Sequence, residues 1–154
     1  MTTTKRRRER QEWNPDMAVL AARLSDSIEG ELFDQLAERG HGDLRPRHAA
    51  VLAYLDEDGV RASELARLSG RHKQVVGRLV DELEALGYLR RQPDPADRRA
   101  KLVVPTARGL ELMRLSDETI AEIERRHADT AGGRVYAEFR NVLRGLVERA
   151  PAGS

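Results

Sequence analysis

The side chains best suited to chemistry in this chain are clustered cations. Positive charge gathers at residues 5–10, 71–78 and 90–101, while the acids concentrate in segments whose patterns indicate helices. Because nucleic acid responds to local fields, these clusters matter more than the formal net charge of +1. Almost all of the cations are arginine, a bias that a GC-rich genome produces as readily as phosphate binding does. Charge alone therefore does not separate a DNA-binding surface from a solvated one.

Residue types that catalyse reactions or bind metals are sparse. The chain has no cysteine, which excludes disulfides, thiolate metal sites and a cysteine nucleophile within it. It has no glycine-rich phosphate loop and no evident serine–histidine pair, so we expect neither enzyme activity nor a cofactor. His41, Asp43 and His48 are metal-ligand types at close spacing, which keeps a metal-responsive sensor as an alternative. We assign no metal ligand, because His48 is expected to pack in its helix and His41 to lie in a flexible turn.

The spacing of apolar residues predicts the elements that would position the cations. A short helix over 63–69, Gly70 and a longer helix over 73–85 closed by Gly87 form a helix-turn-helix pattern. Two short strands are predicted at 88–91 and 101–104. The segment between them, QPDPADRRA, is polar, contains proline and is too long for a tight hairpin turn, so we interpret it as a projecting wing.

Long amphipathic helices are predicted on both sides of this unit. The first runs over 13–38 with apolar residues stepping by three or four, and a second begins at Pro46. After the wing, Thr106 is a candidate N-cap for a helix to residue 129, and Gly132 separates it from a last helix. The outer helices carry broad apolar faces, which a second copy of the chain would cover. A two-fold dimer would place two reading helices on one face of DNA.

The predicted fold class is mainly α with a small β-wing. A length of 154 residues suits one domain, which we place at 13–149 between a disordered basic arm, 1–12, and a disordered tail, 150–154. The winged helix-turn-helix occupies about 46–105, and the dimerisation helices occupy about 13–39 and 106–149. No apolar run approaches the roughly 20 residues that span a bilayer, so we expect a cytoplasmic protein that does not enter the membrane.

The stretch RASELARLSGRHKQVVGRLVDELEALGYLRRQPDPADRRAKLVVPTARGLELM resembles the MarR family of bacterial regulators. Its most specific part is DPADRRAKLVVPTARG, where residues 97–99 stand at the family's Asp-x-Arg position. The resemblance implies a homodimer that binds palindromic double-stranded DNA, with repression favoured. It leaves open whether a small aromatic or phenolic effector exists. Arg61 and His72 stand where the family usually has helix-capping residues, so either the caps are shifted, to Ser63 for the first helix, or the helix starts are held by other contacts.

In the recognition helix, the residues expected to enter the major groove are Lys73, Gln74, Val75 and Arg78. Lys73 and Arg78 could meet guanine acceptors or phosphates, Gln74 could pair with adenine, and Val75, if it faces outward, could touch a thymine methyl. Alternatively, Lys73 and Arg78 are only a solvated charged face.

In the wing, the resemblance implies that Arg99 is inserted into the minor groove and that Asp97 orients it through an ion pair. Arg98 and Lys101 are expected to contact phosphate or to be solvated. The competing interpretation of Asp97 and Arg99 is an ordinary exposed pair. For the whole chain, the competing function is a constitutive architectural DNA-binding protein without an effector.

Overall fold

A computed structural model describes the backbone of residues 2–150 and the side chains of residues 6–150. The fold is mainly helical with one small antiparallel sheet, as predicted. The elements in chain order are α1 (Thr2–Trp13), α2 (Met17–Leu36), α3 (Ala49–Leu52), β1 (Val60–Arg61), α4 (Ala62–Ser69), α5 (Lys73–Ala85), β2 (Leu89–Pro93), β3 (Lys101–Pro105), α6 (Ala107–Ala131) and α7 (Gly133–Arg149).

The N-terminal region differs from the prediction in two ways. The arm expected to be disordered over 1–12 is helical from Thr2, in keeping with its good helix formers. The long helix predicted from residue 13 begins only at Met17, because Pro15 lacks an amide hydrogen and Asp16 caps the new helix. The Asp16 carboxylate accepts from the Val19 amide at 3.1 Å. The tail predicted to be disordered lies almost wholly outside the described residues.

The wing is part of a three-stranded sheet in the order β1-β3-β2. The sequence patterns predicted β2 and β3 within two residues of their ends, but β1 was missed because two residues carry no periodic signal. Val60 of β1 pairs with Val103 of β3, and Pro93 of β2 pairs with Lys101 of β3. Strand β1 therefore joins the base of the wing to the helix-turn-helix.

The core lies between the helix-turn-helix, the sheet and the first half of α6. Its fully buried side chains include Leu65, Val76, Leu83, Tyr88, Val103 and Leu112. The start of α6 packs directly on the chain before β2: a Cβ added at Gly109 would lie 2.2 Å from the Tyr88 carbonyl oxygen. Thr106 caps α6 as predicted, its hydroxyl accepting from the Gly109 amide at 3.2 Å. The packing of Gly109 against Tyr88 fixes the start of α6 relative to the winged unit.

Beyond the core, α2 packs against α6, and α6 packs against α7. Within residues 2–150, no helix combines the length and the apolar character needed to cross a membrane.

Candidate nucleic-acid interface

The recognition helix α5 separates buried and exposed residues as its pattern predicted. Val76, Leu79, Val80 and Leu83 are buried in the core. On the opposite side Lys73, Gln74 and Arg78 are exposed, and in the described part of the chain their side chains make no hydrogen bond or ion pair. Val75 is only partly exposed and packs against the core, so its contact with a thymine methyl would involve one edge of the side chain.

The N-terminal half of α5 is electropositive because the acids of the helix lie in its other half and are paired. Arg91 of β2 bridges Asp81 at 2.6 Å and Glu84 at 3.0 Å. Glu82 accepts from Arg47 and His48, both at 2.9 Å. These bonds leave the helix N-terminus, with its positive dipole end and its cations, free to meet an anion.

The helix-turn-helix is built without the usual side-chain caps. Helix α4 begins directly after Arg61, and α5 begins directly after His72. Neither of these residues makes a capping hydrogen bond. Gly70 ends α4 in the left-handed conformation with φ of 65°, which suits glycine and makes the tight turn into α5.

Asp94, which the sequence analysis overlooked, holds the base of the wing turn. Its side chain is almost fully buried and accepts from the Ala96 amide at 2.8 Å and from Arg61 Nε at 2.7 Å. The Ala96 amide, and then the Arg61 guanidinium, hold the pKa of the Asp94 carboxyl below its usual value. The wing turn is thereby tied to β1, whose existence the sequence did not reveal.

The tip of the wing corrects one expected contact. Asp97 accepts from the backbone amide of Arg99 at 3.0 Å, and no ion pair joins their side chains in the described structure. Asp97 therefore shapes the turn, because a short carboxylate bonds most readily to the amide two residues on. Arg98, Arg99 and Lys101 are exposed, and within residues 6–150 their charged groups have no intramolecular partner.

The three candidate metal ligands are engaged in hydrogen bonds, His48 with Glu82, and both His41 and Asp43 with the Tyr88 hydroxyl. The His48 Nδ1 accepts from the Arg45 amide at 3.0 Å, so its Nε2 donates to Glu82. His41 is buried, contrary to expectation, and its Nδ1 lies 2.9 Å from the Tyr88 hydroxyl. Among the described residues, no group of three or more His, Asp or Glu side chains could hold a metal ion.

A polar network joins the recognition helix to the outer helices. The Tyr88 hydroxyl donates to Asp43 at 2.7 Å, so it accepts from His41 Nδ1. Arg108, at the start of α6, donates to Asp43 at 2.9 Å and to the Leu86 carbonyl at the end of α5 at 2.6 Å. Its guanidinium also lies 4.2 Å from the centre of the Tyr88 ring.

The environment of this network shifts the pKa of two groups. Burial, and then the hydrogen bond to Asp43, raise the pKa of the Tyr88 hydroxyl. Burial opposes ionisation of Asp43, but the bonds from Tyr88 and Arg108 together lower the pKa of its carboxyl. Tyr88 therefore stays a neutral donor and Asp43 a charged acceptor at neutral pH.

A cavity of about 310 Å³ opens between α2, α3 and α6. Its walls are largely apolar, and its polar side chains are Ser116 and Asp117 of α6. The cavity touches the outer helices on one side and, on the other, α3, which packs against α4 and α5 of the helix-turn-helix. A molecule bound there would therefore contact both parts of the fold.

Comparisons with known proteins agree with this architecture. The MarR family model matches residues 43–100. The uncharacterized HTH-type transcriptional regulator YcgE from Bacillus subtilis (strain 168) is 40% identical over 75 residues, and the alignment covers 48% of this chain and 48% of YcgE. The chain thus spans about half the length of this curated relative.

Solved structures match over nearly the whole chain. A MarR-family transcriptional regulator from Rhodococcus sp. RHA1 has 26% identity and a TM-score of 0.68, covering 88% of this chain and 96% of that one. CouR from Rhodococcus jostii RHA1, bound to p-coumaroyl-CoA, has 27% identity and a TM-score of 0.70, with coverage of 88% and 94%.

Proposed function

We propose that this chain, whose residues 43–100 match the MarR family model, is a transcriptional regulator of that family, a repressor that binds a palindromic operator as a homodimer. The observation that carries this proposal is the arrangement of α5, whose apolar stripe is buried while Lys73, Gln74 and Arg78 are exposed and unpaired within the described residues. Polar side chains at the N-terminal end of such a helix suit the edges of base pairs in the major groove.

The wing supplies the second contact. Arg99 lies at an exposed tip, where a guanidinium could enter the minor groove and meet its concentrated negative potential. Arg98 and Lys101 are exposed beside it and suit phosphate contacts, which position a protein on DNA without reading sequence. Asp97 assists by shaping the turn that carries Arg99.

Dimerisation is supported by the apolar surfaces of the outer helices. The 17 residues of α7 include none that is buried, although its sequence is strongly amphipathic. Exposed apolar side chains lie on α1, α2 and α7: Trp13, Met17, Leu20, Leu24, Val135, Phe139, Val142, Leu143, Leu146 and Val147. A monomer rarely leaves so many together in water, and the same surfaces on a second copy would cover them. A dimer seated on a promoter most simply excludes RNA polymerase, which favours repression.

The cavity between α2, α3 and α6 is the place we propose for a small-molecule effector. Half-sites lie about one helical turn, 34–36 Å, apart, so both recognition helices must fit together. A ligand between the outer helices and α3 would change the spacing of the two recognition helices. It must prefer the unbound form of the protein to weaken its binding to DNA.

Selection of bound sequences from a random DNA pool by the purified protein tests the proposal. The expected result is a defined palindrome with two half-sites one helical turn apart. Uniform affinity for all sequences would contradict it and would support a constitutive architectural protein instead.

A further inference from the structure

The polar groups of the cavity between α2, α3 and α6 carry information about its ligand. The apolar walls include Phe33 of α2, Leu52 of α3, and Met113 and Ile120 of α6. With a volume of about 310 Å³, the cavity lies at the small end of the range for small-molecule sites. The apolar part of a fitting ligand is therefore one or two rings, or a chain of similar bulk.

The charge that lines the cavity is negative. Asp117 is its only charged lining residue, and no lysine, arginine or histidine lines it. Asp117 is exposed and Ser116 is half-buried, so the carboxylate lies at the opening and the hydroxyl further in. In the described part of the chain, neither side chain makes a hydrogen bond or an ion pair. Both are available to a ligand.

The two groups discriminate between ligands of different charge. A carboxylate or phosphate on the ligand would lie close to the Asp117 carboxylate without a cation to compensate, which is unfavourable beside apolar walls. An ammonium group would pair with that carboxylate and could also donate to the Ser116 hydroxyl. A neutral hydroxyl could donate to either oxygen but would lack the charge attraction.

We propose that the cavity binds a lipophilic cation: an aromatic or aliphatic amine whose apolar part lies among Phe33, Leu52 and Ile120, and whose ammonium contacts Asp117. This ligand class differs from the phenolic class that the family resemblance suggested, and from the anionic p-coumaroyl-CoA bound by CouR. The proposal rests on the proposed function only for its consequence, release from DNA, and not for binding itself.

Three probes of nearly equal shape test the ligand class: naphthylmethylamine, naphthylmethanol and naphthoic acid. Calorimetric titration of the purified full chain should give an affinity for the amine about threefold to fivefold above that for the alcohol, as an ion pair at an exposed carboxylate contributes, and the weakest affinity for the acid. Equal or tighter binding of the acid, or no binding of any probe, would overturn the inference.

Variants assign the preference to the carboxylate. Asp117→Asn should remove the advantage of the amine over the alcohol while leaving the affinity for the alcohol unchanged. Glu122→Gln is the matched control, since it removes one negative charge from an exposed position of the same helix outside the cavity. An amine preference that survives in the Asp117→Asn protein would overturn the assignment. Both substitutions are at exposed positions, and a common unfolding midpoint verifies the fold.

A further measurement distinguishes a wrong ligand class from a wrong release mechanism. Affinity for the selected DNA is measured with and without saturating naphthylmethylamine. Binding of the amine that depends on Asp117 supports the inference whatever happens to DNA affinity. If DNA affinity is then unchanged, only the release mechanism in the proposed function is wrong.

Discussion

At the scale of single residues, we propose that the exposed polar side chains of α5 divide into those that read bases and those that neutralise phosphate. Replacing Gln74 or Arg78 with Ala should cost about 1–3 kcal/mol per half-site if the residue reads a base. The substitution should also flatten sequence preference at one symmetric pair of positions. Titrations on operators substituted at single positions measure this effect.

Arg39→Ala is the control for the α5 variants, because Arg39 is exposed in the turn after α2 and lacks an ion-pair partner among the described residues. It should leave the preference at every position intact. A uniform loss of affinity across all sequences for Arg78→Ala would assign that residue to phosphate instead.

Arg99 of the wing should act differently from the α5 residues. Arg99→Ala should weaken binding to many sequences and reduce the preference for narrow A·T-rich flanks. If Arg99 also neutralises phosphate, the slope of log affinity against log salt should shrink by about 0.9 for each phosphate that is no longer neutralised, summed over both subunits. Titrations at several salt concentrations on flank variants test this prediction. Wild-type affinity and flank preference in the variant would mean that Arg99 does not contact DNA.

The sequence predicted which α5 residues are exposed, but it did not predict the buried hydrogen bonds that hold the wing and the recognition helix in place. Lys73, Gln74 and Arg78 could be placed on the exposed side of α5 because a buried stripe at helical spacing fixes the opposite side. The buried contacts of Asp94 and His41 could not be predicted from such a pattern. Their partners, Arg61 and Tyr88, lie 33 and 47 residues away in the chain, and no local pattern reports such a contact.

At the scale of elements, the wing depends on the buried Asp94 carboxylate. Because the pKa of Asp94 is lowered in the folded state, its contribution to stability is present above the ordinary aspartate pKa of about 3.9 and is lost as pH falls through the lower folded value. Asp94→Asn should therefore destabilise the protein at pH 7, and the difference from wild type should shrink towards acid pH.

Urea unfolding of wild type and variant across this pH range tests the role of Asp94. Asp129→Asn is the control, since Asp129 is exposed and makes no ion pair among the described residues. A stability difference between wild type and Asp94→Asn that is constant with pH would contradict the account of the wing.

The network at Tyr88 joins α5 to α6. Tyr88→Phe removes the hydroxyl that accepts from His41 and donates to Asp43, leaving both groups short of a partner in a largely buried place. The expected cost is about 1–3 kcal/mol in the free energy of unfolding. Urea denaturation measures it, with Tyr54→Phe as the control because Tyr54 is 42% exposed and its hydroxyl makes no hydrogen bond within residues 6–150. Equal stabilities of the two variants would show that the network contributes little.

Element boundaries followed the sequence wherever capping and periodicity were strong. The bounds of α5 and the Thr106 cap were predicted correctly, since each follows from local hydrogen bonding. The interruption before Met17 was missed although Pro15 and Asp16 are a regular stop and start signal. The apolar stripe continued across it and outweighed that signal.

At the scale of the whole molecule, the account requires two copies of α5 on one DNA site. The exposed apolar faces of α2 and α7 have no partner in the described single chain, and we propose that they supply the surface for a second copy. Dimerisation and DNA reading are therefore one proposal, because a palindromic site is read by two recognition helices together.

Sedimentation of the protein with the selected DNA duplex tests this central claim most directly. The account predicts two chains bound per palindromic duplex, and a large loss of affinity when one half-site is scrambled. One chain per duplex, with full affinity for a single half-site, would contradict it.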